Sequence, residues 1–470
     1  MNVLRRHPVV VTVALIVGFF AFRAVLFAVT TAGEYRLYRD YGETARQTSL
    51  AELYRTRDIE YPHLSVVWGA LIGVIADALP DPAVWLVRWR PNKWEEQYLS
   101  ETPQEQEAGD RYEVALGLVL FAVDVGCLVL VWLIARRTYP TESTLARTAR
   151  LIAYTIGTGA IGLILYDRQD LIVGAAALLA VLALARGRPA VGYAILTLGT
   201  GYKLVPALLL LVWVLAAATV RATPVATPRR FLCCIVWEAT VAALFLSAWP
   251  ILTYTYGGGE RGFLFLTFHS ARGLQLEAPI AWPVLLFDPS TQVGHGYGSF
   301  NLRGDLADRV ARPTRVLMPL SVLLAVAISV PGFWRAATRG ARNPDAVPID
   351  HAAVVPHVIA TSILVWLGFI LTNKVGSPQY LLWVAPLVPL LPLRSWWEWG
   401  WAGAFLLVGI LTTAIFPCAY PDVLGRIVKD DPLTWAGPTP AALVLLAAKS
   451  VTLTIVVGWL AVYVWRTRSI

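Results

Sequence analysis

Residues 112–135 read YEVALGLVLFAVDVGCLVLVWLIA, a run in which only Glu113 and Asp124 carry a charge. A helix of about 20 apolar residues is long enough to cross the hydrocarbon core of a bilayer. Similar runs fill most of the 470-residue chain, which is 57% hydrophobic and only 15% charged, whereas soluble domains contain about 25% charged residues. The composition therefore excludes a soluble enzyme, a disordered tail and a collagen-like fibre, and it predicts a polytopic membrane protein.

Apolar runs of this kind predict an all-α fold, a polytopic transmembrane helical bundle that forms a single unit over residues 1–470. The first run follows Arg5 and Arg6 as in a signal peptide, but it continues to Thr31, so we interpret it as an uncleaved helix. The twelve predicted spans are 8–30, 112–135, 148–166, 171–185, 190–203, 205–220, 231–250, 314–334, 353–371, 379–393, 397–416 and 441–465.

The distribution of Arg predicts the orientation of the bundle. With both termini in the cytoplasm, the inner segments contain seventeen Arg residues and only four acids. This is the positive-inside pattern of multi-pass proteins, and it explains the net charge of +8. No basic stripe is interleaved with stacking aromatic residues, so nucleic acid is excluded as a partner.

Two long segments are then predicted outside the cell membrane, at 31–111 and 251–313. The first contains 14 acids and 9 bases, and both are rich in aromatic residues, which disordered segments lack. Residues 63–80 are nearly long enough to span, but a span there would move the Arg-rich loop at 136–150 to the outside. We therefore predict an interfacial or re-entrant helix at 63–80, on the outer face.

Ionisable and aromatic side chains cluster near the predicted outer ends of the spans, where their burial would be costly without a function. A carboxylate can act as a general base toward a hydroxyl, and Arg and Lys can hold a phosphate. The candidate catalytic residues are Glu34, Asp40 and Glu60. The candidate substrate-binding residues are Tyr38, Tyr61, Asp167, Arg168, Asp170, Lys203, His269, Arg272, Gln275, Glu277, Lys374, Ser377, Gln379 and Tyr380.

Several motifs are absent from the sequence. It contains no DxD element for a metal-bound nucleotide sugar, no GxxxxGK[ST] loop for ATP and no GxSxG elbow for acyl transfer. Its four cysteines form no metal-binding or disulfide pattern, and its histidines are dispersed. We therefore predict neither a metal site nor a cofactor, and we favour a donor that arrives already activated on a lipid.

Three ionisable residues within apolar runs have structural interpretations. Arg23, near a helix end, is expected to extend its guanidinium toward the membrane surface. Asp124 and Lys449 are expected either to pair with neighbouring helices or to lie beside a water-filled cleft.

Taken in order, the polar segments resemble GT-C-type integral membrane glycosyltransferases over about residues 8–393. The resemblance is closest to bacterial alpha-mannosyltransferases that use polyprenol-phosphate-mannose. The segment VGSPQYLLW at 375–383 is the most specific match. The other matching segments are Glu34 with Tyr38, EYP at 60–62, YDRQD at 166–170, RGR at 186–188, GYKLVP at 201–206 and HSARGLQLE at 269–277.

This resemblance implies an inverting transfer on the extracytoplasmic side, usually without a nucleotide, with a first-loop acid as base. That role falls on Glu34, with Asp40 and Glu60 in reserve. The chain departs from the family at two positions: the family usually has Asp where Glu34 stands, and a second Pro where His63 follows the EYP segment.

The expected function is therefore transfer of a sugar from a polyprenyl-phosphate donor to a glycolipid or cell-envelope glycan at a bacterial plasma membrane. Mannose is the expected sugar, although arabinose and glucose donors fit the same chemistry. A transporter or flippase of lipid-linked sugars is the alternative, and it would need ionisable residues through the bilayer midplane. An inactive homologue acting as a scaffold is a third possibility.

Overall fold

The computed structural model describes residues 8–29, 35–80, 103–223, 226–296, 298–341, 351–428 and 431–466. Within these ranges the chain is mainly helical, with one small sheet. Six helical segments are long and apolar enough to cross a membrane, which agrees with the prediction of a helical membrane protein. They are Gly109–Thr138, Pro228–Tyr256, Asp305–Arg339, His351–Thr372, Trp396–Cys418 and Pro440–Arg466.

Helices and strands are numbered along the described residues. The helices are α1 Pro8–Val29, α2 Tyr35–Gln47, α3 Leu50–Thr56, α4 His63–Asp77, α5 Pro103–Thr138, α6 Thr144–Gly159, α7 Leu171–Ala185, α8 Pro189–Tyr202, α9 Ala207–Ala222, α10 Pro228–Leu246, α11 Ala248–Tyr256, α12 Leu264–Ala271, α13 Ala281–Phe287, α14 Asp305–Ala311, α15 Thr314–Ala341, α16 His351–Thr372, α17 Leu381–Val384, α18 Trp396–Thr413, α19 Tyr420–Leu424 and α20 Pro440–Arg466. The strands are β1 Leu274–Gln275, β2 Gln292–Gly296, β3 Ser299–Arg303, β4 Ile427–Val428 and β5 Asp431–Trp435.

Helix α16 lies at the centre of the bundle. Most of its side chains are buried, and it packs against α15, α9, α7 and α20. Helix α10, by contrast, exposes large apolar side chains such as Leu232 and Leu244. Apolar surface on this scale is expected where a helix faces lipid, so the burial pattern fits the apolar composition.

The predicted span at 379–393 is not a continuous helix. The segment breaks into a turn at Pro378–Tyr380, the short α17 and a second turn at Val388–Leu390. Prolines at 378, 386, 389 and 392 explain the breaks, because each lacks the backbone N–H that a continuous helix uses. This irregular segment is buried on nearly all sides by other helices. Regular helix resumes at α18, where Ser395 and Glu398 form a capping box.

The expectation that Arg23 reaches the membrane surface is wrong. Its side chain is fully buried, and its Nε lies 2.8 Å from Oδ2 of Asp124 on α5. The Asp124 carboxylate also accepts hydrogen bonds from Tyr154 of α6 at 2.5 Å and from Tyr166 at 2.8 Å. Asp124 is therefore an interhelical partner, as one of the two interpretations of the sequence held, and the network joins α1, α5 and α6.

Several segments predicted on the cytoplasmic side meet at one end of the bundle. Arg150 pairs with Glu142 at 2.6 Å and donates hydrogen bonds to the carbonyl oxygens of Pro389 and Leu391. Arg137 donates to the carbonyl oxygen of Ala185 at 3.1 Å. The loop at 136–150, the end of α7 and the segment before α18 thus share one end.

A five-stranded antiparallel sheet, which was not predicted, is formed by β1, β2 and β3 between α12 and α14 and by β4 and β5 between α19 and α20. Its strand order is β1-β3-β2-β5-β4. The strands β2 and β3 form a hairpin in which His295 faces Phe300. The strands β4 and β5 come from a much later part of the chain and pair with the edge of this hairpin. The sheet therefore connects the predicted second loop to the segment before α20.

Candidate functional site

A polar cavity of about 130 Å³ lies where the sheet meets the ends of the helices. Acids, bases and aromatic residues from seven separate parts of the chain line it. The lining residues are Glu60, Tyr61, Arg168, Lys203, Arg272, Gln275, Glu277, His295, Gly298, Ser299, Phe300, Ser377, Pro378, Gln379, Tyr380, Phe416 and Tyr420.

Glu60 and Tyr61 reach the cavity from the short connection between α3 and α4. The Tyr54 hydroxyl of α3 donates a hydrogen bond of 2.5 Å to the carbonyl oxygen of Tyr61, and the Tyr38 ring packs 5.6 Å from the Tyr61 ring. Glu60 forms an ion pair with Arg272, and both side chains are only 9% exposed. Residues 212 positions apart in sequence are thus joined in one charged pair at the cavity wall.

The segment between α6 and α7 supplies a second charged group. The Arg168 Nε lies 3.1 Å from Oδ2 of its neighbour Asp167. Asp170 accepts from the Lys203 ammonium at 2.7 Å and from the Trp383 indole at 2.5 Å. Asp170 therefore fixes Lys203 at the cavity wall and holds the end of α8 against α17.

The Lys203 ammonium is surrounded by aromatic rings as well as by its carboxylate. Its Nζ lies 5.8 Å from the Tyr61 ring, 5.7 Å from the Tyr380 ring and 5.6 Å from the Trp383 ring. These are cation–π distances. The Lys203 side chain is thus held between a carboxylate and three rings, at a place where it can interact with an anionic ligand.

Glu277 lies deeper in the same wall. Its carboxylate is 3.3 Å from the Lys449 ammonium, which extends from within α20. Burial raises the pKa of Glu277, while the positive charges of Lys449 and Arg168 act against that shift. The partner of Lys449 thus lies not on another helix, as that of Asp124 does, but in the turn after β1, where it lines the cavity. This favours the interpretation that places Lys449 beside a cleft.

Lys374 follows α16 and lies against Arg272. Its ammonium donates to the carbonyl oxygen of Arg272, and its own carbonyl oxygen accepts from the N–H of Gln275 at 2.9 Å. Burial and the nearby charges of Arg315 and Arg272 lower the pKa of Lys374. The side chains of Lys374, Arg272 and Arg315 thus lie close together, and a bound anion would stabilise this group of cations.

An apolar groove of about 360 Å³ adjoins the polar cavity. Side chains of α9, α12, α15 and α16 line it, and Glu60, Tyr61, Lys203 and Tyr380 line both spaces. The other groove residues are Pro62, Leu204, Val205, Leu208, Phe265, Leu266, Thr314, Arg315, Met318, Phe369, Asn373, Lys374, Val375 and Trp383.

Most of the residues predicted from sequence lie at these two spaces. Asp167, Asp170 and Tyr38 contact lining residues, as described above, and Lys374 lines the groove. Asp40 is not among the lining residues: its carboxylate is exposed and pairs with Arg57 at 2.7 Å. Its reserve role as a catalytic base stays a prediction. His269 lies in α12. Glu34 lies outside the described residues.

The sequence interpretation missed the lining residues His295, Ser299, Phe300, Phe416 and Tyr420. A local signal was present for the first three. The segment GHGYGSFN at 294–301 places glycines between two short alternating runs, a pattern typical of a β-hairpin. Gly298 has a φ of 65°, which glycine adopts without strain. No comparable local signal marked Phe416 or Tyr420.

Within the described ranges, no three side chains of His, Cys, Asp or Glu are grouped so as to hold a metal ion. The charged groups at the cavity are instead arranged as acid–base pairs. No protein-family model and no curated protein matches this chain.

Proposed function

We propose that this protein is a membrane glycosyltransferase of the GT-C type that uses a polyprenyl-phosphate-sugar donor. The observation that carries the proposal is the junction of a polar cavity with an apolar groove at Glu60, Tyr61, Lys203 and Tyr380. The parts of a lipid-phosphate-sugar match the groove, the junction and the cavity in order: an apolar chain, an anion and a hydroxyl-rich ring. The sugar would occupy the cavity, the phosphate the junction and the chain the groove.

The groove suits a hydrocarbon chain. Leu208 of α9 and Met318 of α15 are among its lining residues. The neighbouring surfaces of these helices expose Leu211 and Leu320, which would contact lipid tails. A donor could therefore move from the bilayer into the groove without leaving an apolar environment.

The junction suits a phosphate. Lys203 and Arg272 line the cavity, and Lys374 and Arg315 line the groove beside them. Arg272 and Lys203 are each held by a carboxylate, which orients the cation before the phosphate binds. Such preorganised charge stabilises a phosphate most strongly as it leaves and its negative charge grows.

The proposed reaction proceeds with inversion, with a first-loop carboxylate removing the acceptor proton. We assign this role to Glu34, and we assign to Glu60 the positioning of Arg272. A base must lie next to the attacking hydroxyl, on the side of the sugar opposite the phosphate. Glu60, paired with Arg272 at the phosphate junction, fits the leaving-group side instead.

The proposal extends to topology and acceptor. We propose about twelve spans in a bacterial plasma membrane, with both termini in the cytoplasm and the cavity on the extracytoplasmic side. The acceptor would be a lipid-linked or cell-envelope glycan, and the sugar mannose. The meeting of the Arg-rich segments at one end, described above, supports this orientation because cytoplasmic loops are enriched in Arg and Lys.

Transfer of labelled mannose from polyprenyl-phosphate-mannose tests the assignment of the two glutamates in isolated membranes. We expect Glu34→Gln to lower kcat by about 10²–10⁴-fold. We expect Glu60→Gln chiefly to raise the KM for the donor. Glu52→Gln changes an exposed glutamate of α3 that lies outside the cavity, and it should transfer at the wild-type rate. Undiminished transfer by Glu34→Gln would exclude Glu34 as the base.

A further inference from the structure

One wall of the polar cavity is built from residues that do not line the apolar groove. Phe300 reaches it from β3, Phe416 from the segment that joins α18 to α19, and Tyr420 from the start of α19. We call these three side chains the aromatic wall. The wall carries no formal charge, whereas Lys203, Lys374 and Arg315 lie along the groove.

The rings of the aromatic wall are fixed by their neighbours. The Phe300 ring packs edge-on 5.6 Å from Tyr420 and 5.1 Å from Trp435 of β5, and Tyr420 packs 4.8 Å from Phe416. His295, the cross-strand partner of Phe300, adds a contact at 5.1 Å. The Arg168 guanidinium also lies 5.8 Å from the Phe416 ring. The wall is thus a preformed aromatic surface that lines the polar cavity, and its rings need little reorganisation when a ligand binds.

A second observation beside this wall indicates a hydroxyl-bearing ligand. Gln275 of β1 lines the cavity and is only 8% exposed. Within the part of the chain that the structure describes, its buried side-chain oxygen Oε1 has no hydrogen-bond partner. Such a group is costly to bury. A hydroxyl can donate or accept, so it would satisfy Gln275 in either orientation of the amide.

The cavity opens toward the sheet on this side. His295 and Gly298, at the tip of the β2–β3 hairpin, line the cavity and are exposed. A ligand could therefore approach the aromatic wall past the hairpin, without passing through the groove. The donor and a second substrate would then have separate routes to the same cavity.

We propose that Phe300, Phe416, Tyr420 and Gln275 form a subsite for a neutral sugar ring, which is the acceptor sugar of the proposed transferase. An aromatic face packs against the C–H face of a pyranose, and Gln275 hydrogen-bonds one of its hydroxyls. The identification as acceptor subsite rests on the proposed function. Binding of a sugar there does not, because it requires neither a donor nor a reaction.

The test is saturation-transfer NMR on the purified full-length protein in lipid nanodiscs, without donor. Methyl α-mannopyranoside and methyl α-glucopyranoside are the probes, and sugar-based detergents are avoided. We expect at least one probe to receive saturation from the wild type. Phe300→Leu and Gln275→Leu should each weaken that binding about tenfold. Phe300→Tyr, which keeps the ring, should retain it and thereby controls for folding.

Phe287→Leu is the matched control, because Phe287 is 75% exposed on α13 and lies outside the cavity. Wild-type binding by Phe287→Leu and Phe300→Tyr, with loss in Phe300→Leu, supports the subsite. Equal binding by Phe300→Leu, or no saturation of either probe by the wild type, overturns it. If sugar binding depends on Phe300 but no sugar is transferred from any polyprenyl donor, the subsite stands and the proposed transferase fails.

Discussion

Lys374 shows how a single residue at the junction should respond to pH. Burial, together with the neighbouring cations Arg315 and Arg272, lowers its pKa from the ordinary value of 10.5. The ammonium therefore loses its proton, and its attraction for a phosphate, at a lower pH than an ordinary lysine. We expect kcat/KM for the donor to fall as the pH rises through this lowered pKa, in rate measurements at constant ionic strength.

Lys374→Arg is the matched variant for this prediction, because a guanidinium keeps its charge throughout the accessible pH range. The alkaline fall in kcat/KM should disappear in the variant. In the wild type, kcat should fall less than kcat/KM, because a bound phosphate stabilises the ammonium. An identical alkaline fall in the two proteins would mean that another group titrates.

At the residue scale, the sequence identified most of the charged groups of the site but not their pairing. Glu60 and Arg272 were both candidates, yet their ion pair joins positions 212 residues apart. Such a pair has no local signature. Asp40 lies in the same predicted loop as Glu60, but it pairs with Arg57 and does not line the cavity. Which of the two carboxylates lines the cavity is determined by the path of the chain between α2 and α4.

At the element scale, the Asp124 network should determine how firmly α1 and α6 are joined to α5. Asp124→Asn would leave the buried Arg23 guanidinium without a carboxylate. Removing one partner of a buried ion pair costs about 3–5 kcal/mol. We expect the free energy of unfolding, measured by denaturant titration in detergent, to fall by that amount.

Asp77→Asn is the control for this prediction. The ion pair of Asp77 with Arg46 is also short, at 2.5 Å, but Asp77 is 65% exposed. Its loss should cost no more than about 1 kcal/mol. The double variant Arg23→Met/Asp124→Leu should be more stable than Asp124→Asn, because it leaves no buried charge, but it should not reach the wild type, because the Tyr154 and Tyr166 hydroxyls lose their acceptor. Equal, small effects of Asp124→Asn and Asp77→Asn would contradict the structural role of the network.

The groove-facing side of α9 should determine which donors are used. Leu208 lines the groove, and Leu208→Trp would fill part of its volume. We expect kcat/KM for a long-chain polyprenyl donor to fall about tenfold, equivalent to about 1.4 kcal/mol. A short-chain donor should be affected less. Leu211, one turn further along α9, is 40% exposed and does not line the groove.

Leu211→Trp should therefore behave as the wild type with both donors. A similar loss in the two tryptophan variants would indicate general damage to α9 rather than occlusion of the groove. Full activity of Leu208→Trp with the long-chain donor would contradict the assignment of the groove to the lipid chain.

Apolar helices were the most predictable elements, because each carries its signal within its own sequence. The segment predicted at 171–185 coincides with α7, Leu171–Ala185. The sheet was not predicted, because β1 and β4 are two residues long and β5 pairs with β2 across more than a hundred residues. The proline-rich segment at 379–393 was wrongly predicted to be a continuous helix. High hydropathy indicates that a segment is buried, and a buried segment can be a broken helix as well as a regular one.

At the scale of the whole molecule, the two ends of the bundle should face opposite sides of the membrane. Ser290 is exposed near the sheet, and Thr141 is exposed at the Arg-rich end. In a background with all four native cysteines replaced, we expect a membrane-impermeant maleimide to label Ser290→Cys in intact cells. Thr141→Cys should be labelled only after the membrane is permeabilised. The reverse pattern would contradict the orientation predicted from charge.

The overall orientation could be proposed from sequence because the Arg bias is summed over many loops, so that no single loop decides it. The junction of the cavity with the groove could not be proposed from sequence, because it depends on how α9, α12, α15 and α16 pack together. Helix packing of this kind is set by the shapes of the side chains along each helix. The composition of a helix says little about those shapes.

The most direct measurement is the product balance of the purified protein in proteoliposomes supplied with polyprenyl-phosphate-mannose and a glycolipid acceptor. Mass spectrometry would follow free polyprenyl phosphate and mannosylated acceptor with time. We predict that the two appear one for one, and that Lys203→Met slows both together. Movement of intact donor to the opposite leaflet, with no new glycosidic bond from mannose, glucose or arabinose donors, would contradict the transferase and favour a flippase.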